Sequence, residues 1–197
     1  GDMNGKTACD HYHRYKEDVA LLKNLGIKNY RFSVSWSRIM PNGKGEINPE
    51  GVAFYSNLAD ELLKAGITPW VTIFHWDLPR ALFEEGGFLN DKISDYFADY
   101  AKTVVEIFGD RVKNYLIFNE PQVFVEDGHF TGAHAPFLRL SRSDVFKVAH
   151  NVLLSIGKAE KVMRKTAKIE LDIGCSPCFT PMIPKRKEDA ELALKYN

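Results

Sequence analysis

One pattern recurs along this sequence and restricts its fold more than any other feature. An amphipathic helix is followed by a glycine and then by a short apolar strand that ends in polar residues. Helical spacing and capping residues predict helices at about 12–25, 48–66, 90–109 and 144–165, and a last one from about 187. Apolar runs between them predict strands at 28–36, 67–76, 112–120 and 169–176. The chain is therefore predicted to contain four strands and about five helices.

This alternation of strands and helices also predicts the fold class. Strands that are apolar nearly throughout indicate a parallel sheet covered by helices, so the fold class is α/β. A doubly wound sheet usually has a Gly-rich phosphate loop after its first strand, and no GxGxxG occurs here. Instead, polar and aromatic residues follow the strands, where TIM barrels of the (β/α)8 type place their active sites. Residues 1–197 are predicted to form one partial barrel domain with about half of the eight strands.

The composition restricts the ligand and the cellular location. Lys plus Arg and Asp plus Glu each number 26, so no basic surface is expected that would attract nucleic acid or an anionic membrane. No apolar run approaches the ~20 residues of a membrane span, and the first residues lack the apolar stretch of a signal peptide. The CSPC spacing of Cys175 and Cys178 would suit a redox or zinc half-site, but with Cys9 we favour free buried thiols in a reducing compartment. We expect a cytoplasmic protein with a neutral small-molecule ligand.

The carboxyl group that follows the third strand is the strongest candidate for catalysis. Glu120 follows the apolar run YLIF and lies between Asn119 and Pro121. A carboxyl group at the edge of a desolvated pocket should have a raised pKa, and a protonated acid can protonate a departing glycosidic oxygen. A purely structural alternative is a glutamate that only begins a helix before proline.

Other candidate residues lie directly after the second strand, and one lies within the first strand. His75 and Trp76 offer an imidazole and an aromatic face, which together suit the hydroxyls and the apolar side of a sugar ring. Asp77 is a possible second carboxylate, but its place before Leu-Pro favours a cap or a turn. Arg31 lies inside the first strand and needs a carboxylate partner, which we expect to be catalytic. Arg38, like Arg80, is expected to be solvated surface.

Five motifs carry a resemblance to a known family. ACDHYHRYKEDV, YRFSVSWSRI, HWDLP, GDRVK and FNEP occur in this order, from about Thr7 to Pro184. In these motifs and their spacing, the chain resembles the β-glucosidases of glycoside hydrolase family 1.

The resemblance implies a role for each candidate residue. Glu120 would be the acid/base of a retaining β-glycosidase, and Asn119 would bind the 2-hydroxyl of the sugar. His75 and Trp76 would line the pocket for that sugar, and Arg31 would lie against the nucleophile and keep it ionised. The family's enzymes for phosphorylated glycosides more often carry HFEMP and usually lack the Pro after the Glu, so an unphosphorylated β-glycoside is expected. No metal or organic cofactor is required by this mechanism.

This chain differs from members of the family mainly because it lacks segments that they usually contain. Members are usually more than twice this length, and they have a first strand with a sugar-binding Gln and a seventh strand with the nucleophile in ENG. GEIN, EEGG and VEDG do not follow apolar strands, so none of them supplies a nucleophile. Hydrolysis with retention of the anomeric configuration requires two carboxyl groups ~5 to 5.5 Å apart. Because this chain lacks the second of them, the chain alone is predicted to be inactive. The alternative is a non-catalytic carbohydrate-binding or assembly fragment of the same barrel.

An incomplete barrel also has consequences for association. Four strands cannot close a barrel of eight, so the first and last strands should have unpaired edges. We expect apolar side chains of the strands to face solvent, namely Phe32, Val71, Ile73, Leu116 and Phe118 or their strand neighbours. The chain is therefore expected to self-associate or to be completed by the remaining half of the barrel.

Overall fold

The structure, a computed structural model, describes residues 7–196. Its longer elements are helices α1 (His11–Asn24), α3 (Pro49–Lys64), α5 (Ile93–Phe108), α7 (Arg142–Thr166) and α8 (Ala190–Tyr196), and strands β1 (Asn29–Ser33), β2 (Thr68–Phe74), β3 (Asn114–Asn119) and β4 (Asp172–Ser176). Three short helices follow strands, namely α2 (Trp36–Ile39), α4 (Arg80–Glu84) and α6 (Pro121–Val125). Single turns of 3-10 or π-helix lie at Gly87–Leu89, Glu126–Phe130 and Lys187–Asp189.

The long helices are confirmed, and their ends follow the expected local chemistry. The side chain of Asn48 accepts a hydrogen bond from the backbone N–H of Glu50, and Pro49 occupies the first position of α3. Gly26 and Gly66 have positive φ angles of 74° and 75° just beyond α1 and α3. Glycine adopts this left-handed conformation without steric cost, so each residue turns the chain back towards the sheet.

Other details differ from the sequence-based prediction. Helix α5 begins at Ile93 rather than near residue 90, because the side chain of Asn90 accepts the N–H of Lys92 in the turn that precedes the helix. The first three strands are shorter than predicted at both ends and β4 is shorter only at its start, and α2, α4 and α6 were not predicted. Each of these three helices has only four or five residues, which is too short for an apolar periodicity to be recognised.

The four strands form one parallel sheet in the order β1-β2-β3-β4. This confirms the α/β class. Because parallel crossovers are right-handed, a sequential order without reversal places the crossover helices on one face of the sheet. A doubly wound sheet reverses its strand order and has helices on both faces. The observed topology is therefore that of a partial barrel.

The two faces of the sheet differ in polarity. The face beneath the helices is apolar and buried, and it includes Phe32, Val71, Ile73 and Tyr115. Ile117 and Phe118 are both buried as well, at a register irregularity of β3 that interrupts the alternation. The expectation that Phe32, Val71, Ile73 and Phe118 face solvent is therefore wrong, while Leu116 is half-buried. Successive side chains of a strand point to opposite faces, so the strand neighbours occupy the open face. These are mainly polar or amphipathic, namely Arg31, Ser33, Trp70, Thr72 and Asn114.

A buried tyrosine of α5 joins the carboxyl ends of β1 and β2. The hydroxyl of Tyr100 lies 2.9 Å from the backbone oxygens of both Val34 and Ile73. Its ring stacks on Trp36 with centroids 5.0 Å apart and planes at 7°. Burial raises the pKa of this hydroxyl well above its usual value, so it acts as a neutral hydrogen-bond donor at the sheet edge that carries the candidate residues.

Candidate active site

The five predicted site residues lie on neighbouring strands at one edge of the sheet. Arg31 lies in β1, His75 and Trp76 directly follow β2, and Asn119 ends β3, with Glu120 next in the chain. The carboxyl ends of parallel strands meet at the same edge, which is the edge that barrel enzymes use for catalysis. The structure therefore brings these residues together.

Arg31 connects β1 to all three other strands through its side chain. Its Nε donates to Oγ1 of Thr72 at 2.8 Å, and its two terminal nitrogens donate to Oδ1 of Asn119 at 2.5 Å and to Oγ of Ser176 at 3.3 Å. Within residues 7–196 it has no carboxylate partner, so the expected catalytic counter-ion is not present in this part of the chain. Since Asn119 accepts through its oxygen, its amide nitrogen remains available to donate to a ligand.

Glu120 has an unusual backbone conformation that is held from the neighbouring strand. Its φ of 43° lies in the left-handed region, which costs a non-glycine residue about 1–2 kcal/mol. Its N–H donates to the backbone oxygen of Ser176 at 2.8 Å, which fixes the turn that leads into α6. The half-buried carboxylate makes no capping hydrogen bond to α6. The purely structural alternative, a glutamate that only begins a helix, therefore receives no support from the capping geometry.

His75 and Trp76 form an aromatic wall beside Glu120. The ring centroids of His75 and Trp76 are 5.4 Å apart, and Nε1 of Trp76 donates to the backbone oxygen of Asn119 at 2.8 Å. Partial burial and the charge of Arg31 lower the pKa of His75, while the charge of Glu120 acts in the opposite direction. The lowered pKa favours a neutral imidazole, which has one donor and one acceptor nitrogen for hydroxyl groups.

Asp77 has the structural role that its sequence position favoured, but with a different partner. Its Oδ2 accepts the backbone N–H of Trp36 at 2.9 Å, so it caps α2 rather than a helix of its own loop. Burial raises the pKa of Asp77, and its Oδ1 is buried without a hydrogen-bond partner among the described residues. This carboxyl group links the loops after β1 and β2.

One further residue reaches this site from the loop after β3. The ring of His134 lies 5.4 Å from that of Trp76, with an interplanar angle of 32°, and its Nε2 is 3.7 Å from Oδ2 of Asp127. His134 is not among the residues predicted for the site. Helices α4, α5 and α6 and strand β3 lie between it and Trp76 in the sequence, so no local spacing indicates that the two rings meet.

The cysteines, possible metal sites and possible membrane helices can also be compared with the sequence-based expectations. All three thiols are free, but Cys9 and Cys178 are exposed and only Cys175 is half-buried, so the expectation of buried thiols is wrong for two of them. Within residues 7–196 no group of His, Cys, Asp and Glu is arranged to hold a metal ion. The described helices include none that is both long and apolar enough to cross a membrane.

Comparison with known proteins places the site in a family context. The model of glycosyl hydrolase family 1 matches residues 1–196. Beta-glucosidase A of Thermotoga maritima is 50% identical over 167 residues, which are 83% of this chain and 36% of that protein. Beta-glucosidase A of Acetivibrio thermocellus is 44% identical over 191 residues, with coverage of 96% and 42%. A solved β-glucosidase from Thermotoga maritima in complex with castanospermine matches with a TM-score of 0.88 at 46% identity, covering 93% of this chain and 41% of that one. The chain thus spans about two-fifths of the length of these relatives.

Proposed function

This chain belongs to glycosyl hydrolase family 1, and on that basis we propose that it is the acid/base-bearing part of a retaining β-glycosidase. The observation that carries the proposal is the environment of Glu120. Its carboxylate lies half-buried between the strand ends, close enough to His75 to influence the pKa of that imidazole, and it has no capping duty. A carboxyl group held in this way suits proton transfer rather than helix capping.

In the proposed mechanism Glu120 acts twice. It first protonates the glycosidic oxygen while a nucleophilic carboxylate attacks the anomeric carbon and the bond to the leaving group breaks. It then removes a proton from the water that hydrolyses the glycosyl-enzyme, so the configuration is retained. The nucleophile is supplied from outside residues 1–197, and this chain alone is inactive. The mechanism uses neither a metal nor an organic cofactor.

The neighbouring side chains bind and orient the sugar. The amide nitrogen of Asn119 donates to the 2-hydroxyl, because the amide oxygen is already occupied by Arg31. The neutral imidazole of His75 hydrogen-bonds other hydroxyls, and the ring of Trp76 covers an apolar side of the sugar. Arg31 keeps the incoming nucleophile ionised, since an adjacent guanidinium favours the charged carboxylate. The proposed substrate is a terminal β-glucoside or a related unphosphorylated β-glycoside.

The decisive experiment is Glu120→Gln in a complete polypeptide that contains these residues. General acid catalysis contributes about 10²- to 10⁴-fold, and only poor leaving groups need it. We expect kcat/KM, which reports the glycosylation step, to fall by that range for an alkyl β-glucoside and by about tenfold or less for a dinitrophenyl β-glucoside. Glu170→Gln, at an exposed position before β4, is the matched control and should leave both rates unchanged. Equal losses for the two substrates would show that Glu120 is not the acid.

A second candidate function is sugar binding without hydrolysis by the 197-residue chain. The free amide nitrogen of Asn119 and the fixed ring of Trp76 favour it. Calorimetric titration with methyl β-glucoside, compared between the chain and its Trp76→Ala variant, tests this directly.

We also propose a cytoplasmic location, and the support is the presence of three free thiols.

A further inference from the structure

The turn that follows β2 and carries His75 and Trp76 has an unfavourable backbone conformation. Trp76 has a φ angle of 78°, which lies in the left-handed region that residues with large side chains rarely adopt. Such a conformation persists only where the surrounding structure fixes it. The groups that fix this turn therefore determine where the rings of His75 and Trp76 lie.

Two side chains anchor this turn to the strands on either side of β2. Nε1 of Trp76 donates to the backbone oxygen of Asn119 at the end of β3. On the opposite side, the carboxylate of Asp77 accepts the backbone N–H of Trp36 at 2.9 Å, just beyond β1. Because Asp77 directly follows Trp76, the residue in the left-handed conformation is held from both neighbouring strands.

The anchor point of Asp77 lies in a rigid part of the core. The ring of Trp36 is fully buried and stacks on Tyr100, and its Nε1 donates to the backbone oxygen of Gly43 at 3.0 Å. Because a close-packed core holds such a residue in one position, its backbone N–H is fixed as well. The carboxylate of Asp77 transmits this fixed position to the turn after β2.

The same carboxylate also interacts with the first residue of the turn. Burial raises the pKa of Asp77, while the hydroxyl of Ser35 and the backbone N–H groups of Trp36 and His75 oppose this shift because they stabilise the charged form. Asp77 thus contacts the residue before Trp76 as well as the loop after β1. One side chain connects both ends of the turn to α2.

Asp77 is held by N–H and O–H donors and not by a cation. Arg38 lines the same cavity, but its guanidinium carbon lies 4.9 Å, 5.1 Å and 5.8 Å from the ring centroids of Tyr12, Phe54 and Tyr55, which form an aromatic cage. The expectation that Arg38 is solvated surface is therefore wrong. Among residues 7–196 no salt bridge includes Asp77. The turn therefore requires an acceptor oxygen at this position rather than a negative charge.

We propose that Asp77 is a positioning residue for the reaction at this site. It does not touch the sugar. It fixes the turn after β2, so that the imidazole of His75 and the indole of Trp76 are already oriented when the sugar binds. The proposal rests on the proposed function for the identity of the ligand, whereas the orientation of the rings can be measured without any ligand.

Hydrogen exchange of the tryptophan indole N–H groups in the 197-residue chain, followed by NMR, tests the proposal. The chain contains three tryptophans, and each indole N–H donates a hydrogen bond in a different place. In Asp77→Ala we expect the Trp76 signal, assigned through Trp76→Phe, to exchange about two- to tenfold faster because its hydrogen bond is no longer held. The Trp36 and Trp70 signals should be unchanged. Asp77→Asn keeps an acceptor oxygen and should restore slow exchange.

Asn48→Ala is the matched control, because it removes a side-chain cap from α3 as Asp77→Ala removes one from α2. Asn48 lies outside the turn after β2, so the exchange of Trp76 should be unchanged. In a complete polypeptide, Asp77→Ala should raise KM for an alkyl β-glucoside about tenfold and change kcat by less than about threefold, because the two rings bind ground state and transition state alike. Asp77→Asn and Asn48→Ala should stay within about twofold of the wild type.

Four results would overturn the proposal. They are unchanged exchange of Trp76 in Asp77→Ala, equally faster exchange of all three indoles, no recovery in Asp77→Asn, or faster exchange of Trp76 in Asn48→Ala. If Asp77→Ala fails to fold by circular dichroism, Asp77→Glu replaces it, since the longer side chain keeps the charge but displaces the acceptor oxygens. Trp76 should then exchange faster, and unchanged exchange would contradict the proposal. If the indoles respond as expected but the complete polypeptide hydrolyses no β-glucoside, the proposed function fails while the positioning of the rings by Asp77 is supported.

Discussion

Tyr100→Phe should destabilise the fold through a loss that can be assigned to one atom. The hydroxyl is shared between the backbone oxygens of Val34 and Ile73, both at 2.9 Å, and the side chain is fully buried. Phenylalanine keeps the ring and its stacking on Trp36, so no cavity is created. It leaves two buried carbonyl oxygens with one donor fewer, which costs about 1–3 kcal/mol. For a chain of 150–250 residues this corresponds to a fall in Tm of about 2–12 °C.

Urea denaturation followed by tryptophan fluorescence measures this loss, at one fixed protein concentration so that any association is equal for all variants. Tyr15→Phe is the control, because the half-buried ring of Tyr15 packs edge-on to Phe54 at 5.6 Å and its hydroxyl has no hydrogen bond among the described residues. Its effect should stay within about 0.5 kcal/mol. A Tyr100→Phe variant as stable as the wild type, or an equal loss in both variants, would refute the claim that this hydroxyl joins the strand ends.

Two other predictions follow from the site and from the open sheet. In an NMR titration the pKa of His75 should lie below 6.5. It should fall further in Glu120→Gln and rise in Arg31→Met, because the charge of Glu120 raises this pKa and the charge of Arg31 lowers it. A shift in the opposite direction in either variant would contradict the proximity of these groups. Because its folded pKa is lowered, the contribution of His75 to stability is present above about pH 6.5 and is lost as the pH falls through the lowered value. In light scattering the isolated chain should associate increasingly with concentration through its unpaired strand edges; a dilute monomer with slow amide exchange in both β1 and β4 would contradict this.

The residues at the strand ends could be predicted because their placement depends on local sequence and on strand order. Glu120, His75 and Arg31 each follow or lie within an apolar run, and parallel strands bring their carboxyl ends together. The roles of Asp77 and Arg38 could not be assigned fully in this way. Asp77 finds its partner on a different loop, and the aromatic cage of Arg38 comes from two helices that meet only in the folded chain.

The polarity of the open sheet face was misjudged for a related reason. Period-two alternation in β1 places Arg31 and Ser33 on the face opposite to Phe32. Apolar content shows that a strand is buried, but it does not show which face the helices cover. The helices cover Phe32 and Val71, and the polar partners remain on the open side.

The contacts of Ser176 impose an order in time on the formation of the site. Its hydroxyl accepts from Arg31, a residue 145 positions earlier, and its carbonyl oxygen holds the N–H of Glu120. At about 5–20 residues per second a ribosome needs about 7–29 seconds to proceed from the first of these positions to the last. During that interval β1, β2 and β3 can pair and bury their helices, but the left-handed turn at Glu120 has no partner. Glu120 is therefore the part of this half-barrel that reaches its final position only when the last strand arrives.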